Sequence, residues 1–330
     1  MRAAFLERTG PPDVIRVGTL PDPVPGPGQA LVRVRACAVN PIDTYVRSGA
    51  VAFPLPLPFV VGCDLAGEVV AVGEDVAGLR PGTRVWGSNQ GLLGRQGTFS
   101  ELAAVDAHWL YPIPDGIDDT AAAAAALVSI TAHLGLLTHA ALRPGETVFV
   151  NGASGGVGSA VVQIARALGA RVIGTAGSEA KRALVRELGA DAVLDYRRED
   201  LVAAARAAAP EGIHVYWETR RDPDLDRAVD LLAEGGRIVL MAGRDARPPF
   251  PVGPFYVKGC RMAGFAMFKA DHRLQAAAAI DIGRWWAAGK LRVPIDRILP
   301  LEATAEAHRL QEAATVGGSG ALAGKIVIRP

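Results

Sequence analysis

Two short stretches of this sequence hold the residues best suited to chemistry. The first is Asn151-Gly152-Ala153-Ser154-Gly155-Gly156-Val157-Gly158. Glycine accepts positive φ and, lacking a Cβ, lets a phosphate approach the backbone. A helix starting at such a turn points free N–H groups and the positive end of its dipole at an anion. The chemistry on offer is a grip on a dinucleotide pyrophosphate, with Ser154, Gly155, Gly156 and Val157 facing it. Glycines also make ordinary tight turns, so the setting decides. The second stretch is Asn40-Pro41-Ile42-Asp43-Thr44-Tyr45. Asn40 can donate to a substrate oxygen or hold a ribose. Tyr45 can offer its hydroxyl to a developing oxyanion or serve as an apolar wall. Asp43 can instead make structural bonds in its loop. On residue types alone, a turn and helix cap is the stronger reading of Asn40 to Asp43.

The elements that position the glycines have the required order. Val148, Phe149 and Val150 form a short apolar run fit for a buried parallel strand. After the turn, Val161, Ile164, Ala165 and Leu168 recur at helical spacing, Gly169 closes that helix, and residues 171–175 make a second strand. Further strands are expected at 192–194, 214–218 and 237–241, with helices starting near Val157, Glu179, Glu199 and Asp224. Such alternation implies a doubly wound parallel sheet. Gly243 and Arg244 follow its fifth strand, at the edge where open sheets meet ligand. A last strand is expected at 261–265. Residues 1 to 120 read as β-rich and turn-rich, with strands at 3–6, 30–36, 67–72 and 84–87 and a short helix at 41–49. Proline-rich loops at 21–28 and 54–58 and regularly spaced glycines at 62–82 suit a small twisted barrel. Helices are expected at 121–137, 271–288 and 303–314, and a terminal strand at 325–328.

At 330 residues, 50% hydrophobic and 21% charged, the chain has room for two domains with substantial cores. Its net charge of +1 comes from scattered basic residues, so no nucleic-acid partner is expected. Residues 1–20 have no basic-then-apolar leader, and no run of 18 apolar residues occurs. Neither a signal peptide nor a membrane span is expected, and a cytoplasmic location follows. Cys37, Cys63 and Cys260 are an odd, widely spaced set that makes no disulfide framework. No C-x-x-C or H-E-x-x-H run announces a metal.

A β-rich N-terminal part with a dinucleotide fold inserted near residue 125 is an uncommon order. Together with A-C-A-V-N-P-I-D-T-Y-V-R-S-G (36–49), N-G-A-S-G-G-V-G (151–158), G-T-A-G-S-E-A-K (174–181) and S-G-A-L-A-G-K-I-V (319–327), it resembles the medium-chain dehydrogenase/reductase superfamily. Within that group the chain is similar to the zinc-free NADPH:quinone oxidoreductases of the zeta-crystallin type, over nearly its full length. The resemblance implies an α/β fold: a GroES-like β-barrel catalytic domain (1–122 and 267–330) with an inserted Rossmann-type doubly wound parallel sheet (123–266). It also implies a homodimer joined through edge strands near Val257 to Phe265.

The end of the second strand bears on which nicotinamide is bound. NAD-binding folds usually carry Asp or Glu there for the ribose hydroxyls, and this chain has the neutral Ala176. Lys181 and Arg182 lie about one helical turn beyond Gly177 and Ser178, which favours the extra phosphate of NADPH. Glu179 is the counter-evidence, read as a first-turn residue favoured by the helix dipole. The resemblance assigns the 2′-phosphate to residues matching Lys181 and Tyr196. An arginine that some relatives carry near the C-terminus has no counterpart around Gly320. The resemblance also turns Thr131 toward the nicotinamide or ribose, makes Phe265 and Phe268 apolar walls or core, and brings Lys325 to the cofactor. It raises Asn40, Asp43 and Tyr45 to catalytic candidates. A second tyrosine common in relatives is replaced by Ala50-Val51-Ala52-Phe53, and Glu218-Thr219-Arg220-Arg221-Asp222 departs from their small-residue loop.

Zinc-dependent relatives carry Cys where this chain has Asn40, and His-Glu where it has Cys63-Asp64. They also carry four cysteines in the region of 86–97, where this chain has none. No metal is therefore expected, and hydride should go to an acceptor already electrophilic. The leading expectation is a two-electron or one-electron NADPH:quinone reductase, with a C=C reductase of enals or enones as the alternative. A non-catalytic, crystallin-like NADPH-binding protein is the alternative of another class.

Overall fold

The computed structural model describes residues 1–197 and 200–330. The expected helix start at Glu199 lies outside the described residues; the helix there is recorded from Leu201. The chain forms two compact units, one of Met1–Leu127, Asp271–Ala287 and Arg292–Pro330, the other of Val128–Ala270 and Ala288–Leu291.

The first unit opens with strands β1 (Arg2–Leu6), β2 (Arg16–Thr19) and β3 (Gln29–Ala38) and helix α1 (Pro41–Ser48). Strands β4 (Phe59–Val60), β5 (Leu65–Val72), β6 (Arg84–Gly87), β7 (Leu102–Asp106) and β8 (Leu110–Pro112) follow. Helix α2 (Asp119–His133) contains the boundary between the units. The second unit holds β9 (Thr147–Asn151), α3 (Gly156–Ala167), β10 (Arg171–Thr175), α4 (Glu179–Glu187), β11 (Ala192–Leu194) and α5 (Leu201–Ala208). It continues through β12 (Ile213–Glu218), α6 (Leu225–Leu231), β13 (Leu232–Leu240), α7 (Val252–Val257) and β14 (Arg261–Gly264). The chain then rejoins the first unit with α8 (His272–Ala287), β15 (Ile295–Pro300), α9 (Thr304–Thr315) and β16 (Lys325–Arg329).

In the first unit β3 is the hub of a sheet ordered β15-β16-β3-β5-β6-β8, and β7 also pairs with it. Its sequence explains this position. Ala30, Val32, Val34 and Ala36 are buried while Arg33 and Arg35 are exposed, the period-2 alternation of a strand with one face inward. Gly67 on β5 lies so close to the Arg33 carbonyl that a Cβ would stand 2.1 Å from it. The proline-rich segment 21–28 follows β2, a short strand not anticipated from the sequence. Strands β4, β7, β8 and β15 and helix α7 were likewise not anticipated.

Helix α1 begins where its residues dictate. Asn40 is the N-cap, Pro41 fills the first helical position, and Gly49 at φ 82° ends the helix. Among the described residues one helical stretch, Asp119–His139, has the length and mean hydropathy (1.7) of a membrane span, which the sequence reading did not expect. Its apolar window is 83% buried, the setting of a core helix in a folded protein.

The second unit carries six parallel strands in the order β11-β10-β9-β12-β13-β14. Every residue of β9 is buried, as expected for a strand covered on both faces. Phe149 on β9 stacks on Tyr216 of β12 at 4.9 Å, in a core shared with Ile173 and Ile238. The chain winds one way from β9 to β10 and β11 and the other way through β12. The crevice at such a switch point, beyond the carboxyl ends of the strands, is where open sheets hold nucleotides.

Candidate active site

At that switch point the glycine turn is pinned from three strands. Asn151, the last residue of β9, donates its Nδ2 to both carboxylate oxygens of Glu218 on β12, at 3.0 and 3.1 Å. Its Oδ1 accepts from the Thr175 hydroxyl of β10 at 3.0 Å, and that hydroxyl accepts from the Gly152 amide at 2.9 Å. Thr219 closes the third side with a 2.5 Å bond to the Asn151 carbonyl. Gly152 adopts φ 85°, and α3 starts at Gly156 with Gly155 as a cap that has no side chain. The first-turn amides of α3 thus have no intrahelical partner, the arrangement that binds an anion. Burial holds the Glu218 carboxyl above its usual range, while the Arg220 amide and Asn151 pull it the other way. Thr175 is a functional support that sequence reasoning missed, and Glu218 stood out in the sequence only as part of a departing loop, not as a support. The pairing of Asn151 with a residue 67 positions later leaves no local signal.

One strand further out, Gly177 and Tyr196 come together: a Cβ on Gly177 would stand 2.5 Å from the Tyr196 hydroxyl oxygen. Ser178 caps α4 by accepting the Lys181 amide, and the Lys181 side chain is partly buried. Glu179 is engaged by Arg182 at 2.6 Å and Arg186 at 3.1 Å, and these bonds hold its carboxyl below the usual range. Gly243 at φ 79° packs against the Arg221 carbonyl, and Arg244 is exposed beside Asp245. Thr131 is buried on α2, Phe265 stacks on His139 at 4.3 Å, and Phe268 is partly buried.

In the first unit the Asn40-to-Tyr45 stretch sits on a buried ionic cluster. Asn40 is wholly enclosed and its amide fully engaged. Its Nδ2 donates to Asp64 at 2.7 Å and to the Ala38 carbonyl at 3.2 Å, and its Oδ1 accepts from the Lys325 ammonium. Lys325 also donates to the Val39 carbonyl at 2.6 Å. Asp43 closes a capping box on the Asn40 amide at 2.8 Å and accepts the Cys63 thiol at 3.0 Å. Burial pushes the Asp43 carboxyl up to about 7, with Cys63, Asn40 and Lys325 pulling it down. Burial also raises the Asp64 carboxyl and the Cys63 thiol and lowers the Lys325 ammonium. Lys325, expected at the cofactor, therefore faces inward in the first unit, its ammonium held beside Asn40. Tyr45 lies on the same helix, partly buried.

Residues 26–115 match the alcohol dehydrogenase GroES-like domain family, and residues 156–281 match the zinc-binding dehydrogenase family. The quinone oxidoreductase of Sus scrofa is 35% identical to this chain over 314 residues, which cover 93% of each protein. The chain belongs to the quinone oxidoreductase family of the medium-chain dehydrogenase/reductase superfamily. Two solved structures of the superfamily overlie it along the whole of both chains. One is the Escherichia coli quinone oxidoreductase complexed with NADPH, at TM-score 0.86 and 26% identity. The other is described as an NAD-dependent alcohol dehydrogenase, at TM-score 0.89 and 32% identity.

The zinc in the name of one matched family has no suitable donor set among the described residues of this quinone oxidoreductase family member. Among the described residues no group of three or more His, Cys, Asp and Glu side chains could hold a metal ion. At the Asn40–Cys63–Asp64 cluster a cation is already built in, the Lys325 ammonium, and Cys63 donates to Asp43. The residues do not fit a zinc ion.

Proposed function

We propose that this protein is an NADPH-dependent quinone reductase that works without a metal. The observation that carries the reading is the Asn40–Asp64–Lys325 cluster, in which an ammonium and an amide occupy the place where a Lewis acid would need thiolate and imidazole donors. With no metal to polarise an alcohol or simple carbonyl, hydride must go to an acceptor that is electrophilic on its own. Membership of the quinone oxidoreductase family points to quinones.

The residues divide the task. The amides of Gly156 and Val157, with Ser154 and the side-chain-free Gly155, hold the pyrophosphate at the start of α3. Gly177, Ser178, Lys181 and Tyr196 receive the 2′-phosphate end, since no free carboxylate stands at Ala176 to claim a ribose hydroxyl. Thr131, Gly243, Arg244, Phe265 and Phe268 are assigned to the rest of the cofactor. NADPH, when bound, supplies two electrons as a hydride, and one proton from solvent completes the hydroquinone. Tyr45 donates its hydroxyl to the acceptor oxygen as negative charge grows there. Asn40, Asp43 and Lys325 are positioning residues, because their polar atoms are engaged inside the cluster that anchors α1.

Tyr45→Phe should lower kcat/KM for a quinone about tenfold, the effect of one hydrogen bond to a developing charge, and leave the NADPH Kd unchanged. Wild-type kinetics in the variant would remove Tyr45 from the chemistry. A panel of quinones and alkenals separates the acceptors: far higher kcat/KM for saturating an alkenal would make the protein a C=C reductase. NADPH binding with no oxidation across the panel would make it a binding protein.

The protein is further proposed to be a cytoplasmic homodimer. β14 is an edge strand of its sheet, and Val252, Tyr256 and Val257 on the preceding helix are 62–71% exposed. Pairing with a second copy would cover both. Light scattering at micromolar concentration should give twice the 34.4 kDa chain mass; a monomer would contradict this.

A further inference from the structure

The stretch from the last residue of β12 onward, Glu218 to Asp222, carries charged side chains where the family resemblance implies small ones, and its geometry gives one of them a purpose. Glu218 turns inward, held by Asn151, and accepts the Arg220 amide at 2.7 Å. The Arg220 side chain itself is exposed. Its guanidinium carbon stands 5.5 Å from the centre of the Tyr196 ring. The guanidinium of Arg197 stands 5.8 Å from the same ring. Tyr196 itself covers Gly177, and a Cβ on Gly177 would stand 2.8 Å from Arg197 Nε. Two guanidinium groups and a phenol therefore converge beside Gly177 and the start of α4.

Charge accounting shows what this clasp is suited to hold. Of the arginines on α4, Arg182 is engaged by Glu179 and Asp195, and Arg186 by Glu179. Asp195 is taken up by Arg182 and by the Arg197 amide at 3.0 Å. Among the described residues neither Arg197 nor Arg220 is in an ion pair. Two like charges held against one ring, with Glu179, Asp195 and Glu218 each already hydrogen-bonded elsewhere, favour a dianion between them. A phosphate monoester matches the planar, forked donors of arginine better than any neutral ribose hydroxyl does.

We infer that Arg220 is a specificity-determining residue that, with Arg197, clasps the 2′-phosphate of NADPH across Tyr196. It stands in for the arginine that some relatives supply from near the C-terminus and that this chain lacks around Gly320. The inference rests on the reading of NADPH as the cofactor.

The test is fluorescence titration of NADPH and NADH on the full-length wild type, Arg220→Ala and Arg220→Lys, with 2′,5′-ADP and 5′-AMP as competing probes. Arg220→Ala should weaken NADPH and 2′,5′-ADP about tenfold, the effect of a lost charge-assisted hydrogen bond. NADH and 5′-AMP should shift less than twofold, and Arg220→Lys should recover part of the loss. The slope of log Kd against log salt for NADPH should become shallower in Arg220→Ala. Equal losses for NADPH and NADH, or no loss for either, would overturn the role of Arg220 while leaving NADPH as the cofactor. Tighter NADH than NADPH binding by the wild type would overturn the cofactor reading itself. Because Arg220 is exposed and its bond to Glu218 comes from the backbone, unchanged thermal melting of the variants separates lost recognition from lost folding.

Discussion

Replacing Lys325 with Met should destabilise the protein by about 3–5 kcal/mol at pH 8, the usual cost of stranding buried charge by removing its partner. The loss should be smaller at pH 5. Lys325 is enclosed among Asp43, Asp64 and Cys63, and its ammonium serves the Val39 carbonyl and Asn40 Oδ1. Methionine keeps the length of the side chain but leaves two buried acceptors without a donor and two buried carboxyls without a cation. The pH dependence follows from Asp43, which burial raises to about 7 although Lys325 pulls it down. A carboxyl whose folded pKa is raised contributes stability that is fully present below its unfolded pKa and lost as pH rises through the folded one. Without Lys325 the folded pKa climbs further, so that loss continues to higher pH than in the wild type. At pH 5 the carboxyl is protonated in both proteins and this part of the difference vanishes. Urea unfolding at the two pH values measures it. An equal deficit at both would mean that Lys325 does not control the charge of the cluster.

That cluster also marks how far the sequence could be read. Elements with locally complete signals appear where they were expected: β6, β10 and β11 match the anticipated residues 84–87, 171–175 and 192–194 end to end. In each of them an apolar, β-branched centre is bounded by charge, glycine or a turn. The missed strands have no such pattern. β15 is partly exposed along most of its length, and what makes it a strand is pairing with β16, some thirty residues on. α7 contains Gly253 and Pro254 and reads as loop until the chain around it is known. The site divides in the same way. The glycine turn is contiguous and could be recognised from its own residues, whereas its supports Thr175 and Glu218 arrive from other strands. Asn40, Asp64 and Lys325 were each noticed separately. Their union spans 285 residues, and no spacing rule links a cap residue to a lysine on a terminal strand. Arg220 is a similar case, since its purpose depends on Tyr196 and on the inward turn of Glu218.

Gly158→Ala should be the most damaging single-methyl change in the nucleotide turn, costing about 2–3 kcal/mol of stability and weakening NADPH at least about a hundredfold through loss of the α3 anion site. The added Cβ would stand 2.2 Å from the Gly152 carbonyl oxygen and 2.9 Å from Ala153 Cα. Both obstacles are backbone, so no rotamer change relieves the clash. Nor can the turn easily yield, because Gly152 is tied to Thr175, and Asn151 to Glu218 and Thr219. Gly155 provides the control. A Cβ there meets nothing nearer than the Gly152 carbonyl oxygen at 3.6 Å, and its φ of −77° suits any residue. Gly155→Ala should therefore keep stability within about 0.5 kcal/mol of wild type. It should still weaken NADPH, because the exposed methyl would stand where the pyrophosphate approaches. Thermal melts with and without NADPH read both quantities, since a ligand raises the midpoint only as far as it binds the folded state. Gly158→Ala should melt several degrees lower and lose the NADPH-induced rise, and Gly155→Ala should lose only part of that rise. A full NADPH-induced rise in Gly158→Ala would mean that the turn does not need the close approach of α3 to Gly152.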